Sequence, residues 1–156
     1  MIFYIFFILL LICALLCAWL ISAADFRRRI IPDAYLFPLL LIGLLIVNFF
    51  PWPISSAESA VAGAFGYIIA ALIGFVFDII RRRKSTDTTT PIGMGDIKLI
   101  GTGGIWLGAT GLSIALIIAC LTGTIWGIYK KQRFIPFAPF FLIGGFLALI
   151  IVSFLV

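Results

Sequence analysis

Long apolar runs separated by short basic clusters constrain this chain more than any other feature of it. Residues 2–24, 34–50 and 58–80 form three such runs. From Asp96 the sequence stays apolar to Tyr129. At about 1.5 Å per helical residue that is too long for one passage across a hydrocarbon layer of about 30 Å. Gly108-Ala109-Thr110-Gly111 is the natural break, which predicts separate helices over 96–108 and 111–129. A last run opens within 134–140, with two prolines three residues apart, and continues to Val156; the prolines predict a shaped, non-helical start. Hydrophobic residues make up 64% of the chain, against about half in an ordinary soluble domain, so polar surface is too scarce to cover a water-facing globule. The expected fold is all-α, a polytopic membrane protein of about six transmembrane helices forming a single domain over 1–156. Ser22-Ala23-Ala24 resembles a signal cleavage site, but no positive charge precedes the first run and the run is longer than a signal core.

The placement of charge supplies an orientation. Eleven basic and six acidic residues give a net charge of +5. The basic residues gather at Arg27–Arg29, Arg81–Lys84, Lys98, and Lys130, Lys131 and Arg133. Six spans put all of them on one side, which the positive-inside rule makes the cytoplasmic side of the cell membrane. The N-terminus and C-terminus are then expected outside. Basic patches can bind nucleic acid or anionic lipid. Clusters this short between apolar spans are instead topology signals, so membrane lipid is an expected partner and nucleic acid is not. Trp52, within Pro51-Trp52-Pro53, suits a membrane interface. Cys13, Cys17 and Cys120 lie inside apolar runs, form no Cys-x-x-Cys pair, and have no histidine to join them. No zinc site of the usual kind is expected, and no metal or other cofactor.

Two acids interrupt this background. Asp96 lies in Pro91-Ile92-Gly93-Met94-Gly95-Asp96-Ile97-Lys98-Leu99, at the start of the longest apolar run, and Asp25 closes the first. An ionisable residue at the edge of membrane-type sequence is costly and marks a functional-site candidate. Each acid also has a plainer reading. Asp25 can pair with Arg28 or Arg29 one turn on, although an acid at a helix C-terminus opposes the helix dipole and needs a reason to be there. Asp96 can cap a helix, since aspartate after glycine is a good N-cap. Lys98 either snorkels to headgroup phosphates or tunes the site electrostatically. If the acids meet, two carboxylates in a low-dielectric site cannot both ionise easily, so one keeps its proton. Such a pair can hydrolyse a peptide: the ionised acid takes a proton from water, the neutral one polarises the carbonyl, and the roles then exchange.

The segment Gly93-Met94-Gly95-Asp96-Ile97-Lys98-Leu99 resembles the Gly-x-Gly-Asp-x-Lys-Leu motif of type IV prepilin peptidases. Asp25-Phe26-Arg27-Arg28-Arg29-Ile30-Ile31-Pro32-Asp33 is similar to that family's first aspartate segment, and Ile135-Pro136-Phe137-Ala138-Pro139-Phe140 to its late Pro-Phe-Gly-Pro-Phe segment. Asp33 stands where the family usually has Asn, and Ala138 where it usually has Gly. The cytoplasmic zinc-type insert of long members is missing, since about nine residues join the first two runs. The resemblance implies a membrane aspartic endopeptidase of the short, peptidase-only type, without methyltransferase activity. Asp25 and Asp96 would be its catalytic pair, with Gly93, Gly95 and Lys98 as supporting motif residues. The implied substrate is a prepilin-like precursor with a short basic leader followed by a hydrophobic helix, cut at the cytoplasmic membrane face. Presenilins share the Gly-x-Gly-Asp element, so an intramembrane protease of presenilin or signal-peptide-peptidase type is one alternative. A small ion- or proton-coupled transporter using the two acids is another.

Overall fold

The computed structural model describes residues 2–84, 92–131 and 135–155. Pro91, the hydrophilic stretch 85–90 and residues 132–134 of the second basic loop therefore lie outside the described residues. Five helices follow in order: α1 (Ile2–Arg28), α2 (Asp33–Phe49), α3 (Ser56–Lys84), α4 (Met94–Lys130) and α5 (Phe137–Leu155). Four of them, α1, α3, α4 and α5, are long and apolar enough to cross a membrane. At 17 residues, α2 is at the short end of the usual crossing length. The outer faces are apolar: Phe6 and Leu9 on α1, Phe65 and Phe75 on α3, and Leu121 and Ile125 on α4 are each more than half exposed. A surface of this kind belongs in lipid rather than water.

The helix ends follow from local chemistry. α1 runs past the expected limit at residue 24 and takes Asp25 into its last turn. It stops at Arg29, whose left-handed backbone (φ 53°) lets its N–H bond the Asp25 carbonyl at 2.9 Å, a common way to end a helix. Pro32 is the N-cap of α2, so the proline restarts the chain as expected. α5 opens at Phe137. Among the described residues the non-helical start is Ile135 and Pro136, and Pro139 sits in the first turn, where a missing N–H costs little.

At 37 residues, α4 would extend about 56 Å if straight, and it is not straight. Gly108 breaks it with φ 64° and ψ −176°, at the first residue of the expected break. The two legs fold back on each other. Ile100 from the first leg and Leu112 from the second both approach Gly66 on α3, and Leu107 lies against Gly111. The break strands carbonyls at the end of the first leg, where helical partners run out. Ser59 Oγ donates to the Ile105 carbonyl at 2.5 Å, and Trp52 Nε1 donates to the Trp106 carbonyl at 3.0 Å. Trp52 thus has a structural partner at the bend. It packs edge-to-face on Trp106 with ring centroids 5.6 Å apart and caps the bend. Trp106 in turn donates to the Leu39 carbonyl at 3.0 Å, tying α2 to α4.

The first leg of α4 is the centre of the bundle. Leu99, Thr102 and Leu107 are buried along it. Gly104 lies against the backbone of Ala62 and Gly63 on α3, and Gly103 against the Phe141 ring on α5. Small residues permit this closeness. The buried Thr102 hydroxyl donates to the Lys98 carbonyl at 3.0 Å, so it adds no unpaired polar atom to the interior.

Candidate active site

The end of α1, the start of α4 and the start of α5 meet at one end of the bundle. Asp25 is 5% exposed, and its Oδ2 accepts the Ala138 N–H at 2.8 Å; the Phe137 amide adds a further interaction. Both amides belong to the first turn of α5, whose N–H groups have no helical partner. Pro136 and Pro139 have no N–H at all, so the flanking prolines leave Phe137 and Ala138 as neighbouring donors. The acid at the end of α1 thus sits at the positive end of α5, a ready anion site. This contact, 113 residues apart in sequence, is the reason that the placement of Asp25 needed. Arg29 also acts on Asp25 electrostatically, so an arginine partner exists beside the helix terminus.

Asp96 is half-buried in the first turn of α4. The N-cap is Gly93, with extended backbone and no side-chain cap bond. Asp96 lies three residues further on, its own N–H bonded to the Gly93 carbonyl at 3.1 Å. Asp96 is therefore not the N-cap residue; from the third helical position its carboxylate reaches back to the Gly93 N–H, which leaves its second oxygen for another task. Asp25 is close enough to act on Asp96 electrostatically, so the structure brings the two sequence candidates together. Gly95 makes this possible by close approach. A Cβ there would lie 2.8 Å from the Ile31 Cβ, so a larger residue would push the start of α4 off the link between α1 and α2. Gly93 borders the acid itself, a Cβ there falling 3.3 Å from Asp96 Oδ2.

Lys98 does not join the pair. Its ammonium bonds both oxygens of Asp33, at 2.9 and 2.7 Å, and links the starts of α2 and α4. The additional carboxylate at 33 is thereby engaged by a cation. Sequence reasoning missed the Phe137 and Ala138 amides; the signal that could have found them is the pair of prolines around them. Among the described residues, no three side chains of the metal-binding types gather together.

A cavity of about 610 Å³ opens between α3, the two legs of α4 and the start of α5, with Asp96 in its wall. Elsewhere the wall is mainly apolar, with Ile69 and Ile73 of α3, Leu112 and Leu116 of α4, and Phe137 of α5.

A bundle with a membrane-type exterior, carrying two carboxylates at one end beside an apolar cavity, defines a polytopic membrane protein with a carboxylate-pair site. Residues 4–128 match the Type IV leader peptidase family, and the chain belongs to that family. It is 29% identical over 147 residues to the prepilin leader peptidase/N-methyltransferase of Aeromonas salmonicida, covering 88% of this chain and 48% of that protein. To the protein of the same name from Burkholderia pseudomallei it is 35% identical over 140 residues, covering 83% of this chain and 43% of the relative. For Pseudomonas aeruginosa the figures are 29% over 137 residues, 83% and 44%. The chain thus spans about half the length of the curated relatives it matches. No solved structure matches it.

Proposed function

We propose that this chain is a membrane aspartic endopeptidase that removes the short basic leader from type IV prepilin-like precursors, with Asp25 and Asp96 as its catalytic pair. The observation that carries the reading is the meeting of two acids 71 positions apart in sequence, at one end of the bundle, with an apolar cavity running up to one of them. Water held between the carboxyls loses a proton to the ionised acid and attacks the scissile carbonyl, which the neutral acid polarises. Collapse of the adduct breaks the C–N bond as a carboxyl returns a proton to the leaving nitrogen. The Ala138 N–H fixes the Asp25 carboxylate in place. Gly93 and Gly95 let α4 start close beside it, and Lys98 secures that start through Asp33.

The crossings proposed are six: α1, α2, α3, the two legs of α4, and α5. Arg27–Arg29, Lys98 and Lys130 then share the end of the bundle that holds the acids, which supports a cytoplasmic site in the cell membrane. We assign the peptidase activity, which the two carboxylates and the adjoining cavity serve; the match to the longer relatives runs through the α1–α2 link, so that link carries no argument about methyl transfer. Membership of a leader peptidase family argues against the transporter and presenilin-type alternatives.

The test is the replacement of each acid by its amide. Asp25→Asn and Asp96→Asn keep size and most hydrogen-bonding capacity but cannot exchange a proton. Each is expected to lower cleavage of a co-expressed precursor by about 10²-fold or more, with the protein still inserted. Near-normal cleavage by either variant at matched membrane levels would refute the dyad.

A further inference from the structure

We infer that the cavity beside Asp96 seats the first turns of the substrate's apolar helix, just beyond the scissile bond, and that Cys120 lies at the level of the cut. The inference rests on the dyad reading above and adds where the substrate lies. Asp96 is 12 residues before the Gly108 bend and Cys120 is 12 residues after it. Because the two legs fold back on each other, both lie at one depth, about 18 Å from the bend, and both line the cavity. From Cys120 toward the bend, the return leg presents Leu116, Ser113 and Ala109 to the same space. The cavity is thus a groove with the acid at one end and the bend at the other.

The chemistry of the wall selects the occupant. Beyond Asp96 the groove offers almost no hydrogen-bonding partner. The Ser113 hydroxyl is committed to the Ala109 carbonyl at 2.9 Å. A peptide entering there must satisfy its own backbone, so it enters as a helix. Only at the Asp96 end do polar groups allow the helix to fray and present a peptide bond. An acyl chain would satisfy the apolar wall equally well but would give the acids nothing to act on.

Cysteine cross-linking tests the placement. The probe is a single-span protein with a short basic leader, a glycine before the cut and an apolar helix, carrying one cysteine moved along that helix. It is co-expressed with the full chain carrying Asp96→Asn, Cys13→Ser and Cys17→Ser, and then oxidised. Disulfides to Cys120 are expected for probe positions in the first turn after the cut, falling to below about a tenth of the maximum two turns on. With Cys120→Ser and Ser113→Cys the maximum should move about seven residues deeper into the probe helix, following the seven positions between 120 and 113. Absence of cross-links at every position, or a maximum that does not move between the two cysteines, would overturn the groove assignment; recovery of bound acyl chains in place of the probe would overturn it too. The two readings fail separately. Unchanged cleavage by Asp96→Asn refutes the dyad whatever the cross-links show, while dyad-dependent cleavage without a moving cross-link refutes the groove.

Discussion

Replacing Gly108 by alanine should damage this protein far more than the loss of one hydrogen atom suggests. The residue holds φ 64° and ψ −176°, a region that glycine alone occupies readily, and forcing an L-residue into it costs about 1–3 kcal/mol. The added Cβ would lie 2.8 Å from Glu58 Oε1 and 3.1 Å from Ile54 Cγ2. Glu58 is exposed and can swing away at little cost. Ile54 is only 5% exposed, and relieving that contact means repacking, at about 1–3 kcal/mol. The sum is about 2–6 kcal/mol. At roughly 2–4 °C per kcal/mol for a chain of this size, the midpoint should fall by on the order of 10 °C. Asparagine provides an internal check. It tolerates the left-handed helical region, where ψ is near +45°, but ψ here is about opposite, so Gly108→Asn should do no better than Gly108→Ala. Thermal unfolding of the purified protein in detergent, followed by tryptophan fluorescence, measures both. An alanine variant within 2 °C (roughly 1 kcal/mol or less by the same scale) of the native midpoint, or a clear rescue by asparagine, would refute the account of the bend.

Three further outcomes are expected. Asp33→Asn should cleave nearly normally, and a double-mutant cycle with Lys98→Met should return a coupling below about 1 kcal/mol, because the pair is one-third to one-half exposed; a coupling of several kcal/mol would contradict that. Cleavage should survive strong chelators, whereas a loss that zinc restores would contradict a mechanism run by two carboxylates. A reporter active only outside the cell membrane should work when inserted at Ser55 and stay silent within 85–90, and activity at the second position would invert the proposed topology.

The apolar runs were legible because membrane helices announce themselves by length and composition, and the bend because Gly108 begins a glycine-rich interruption of a run too long to cross once. Asp25 and Asp96 stood out as acids at the edges of long apolar runs. What the sequence could not display were contacts between distant positions. Nothing local joins Trp52 to the carbonyl of Trp106, 54 residues away. Lys98 and Asp33 are 65 residues apart, and each alone invited a different role. Asp96 is not the N-cap residue for a local reason: Gly93 already supplies the extended residue from which α4 starts, and the acid reaches back to the Gly93 amide from inside the first turn.

The bond between Asp25 and the start of α5 sets an order on the making of this protein. A ribosome delivers Asp25 long before its partner, the separation of 113 positions taking on the order of 10 s at elongation rates of roughly 5–20 residues per second. During that interval the buried carboxylate has no amides to hold it, and the first helices can insert without forming a working site. On the proposed dyad reading, proteolytic competence arrives only once α5 has been made. On that reading, a chain that has not yet reached α5 would be harmless to the proteins around it.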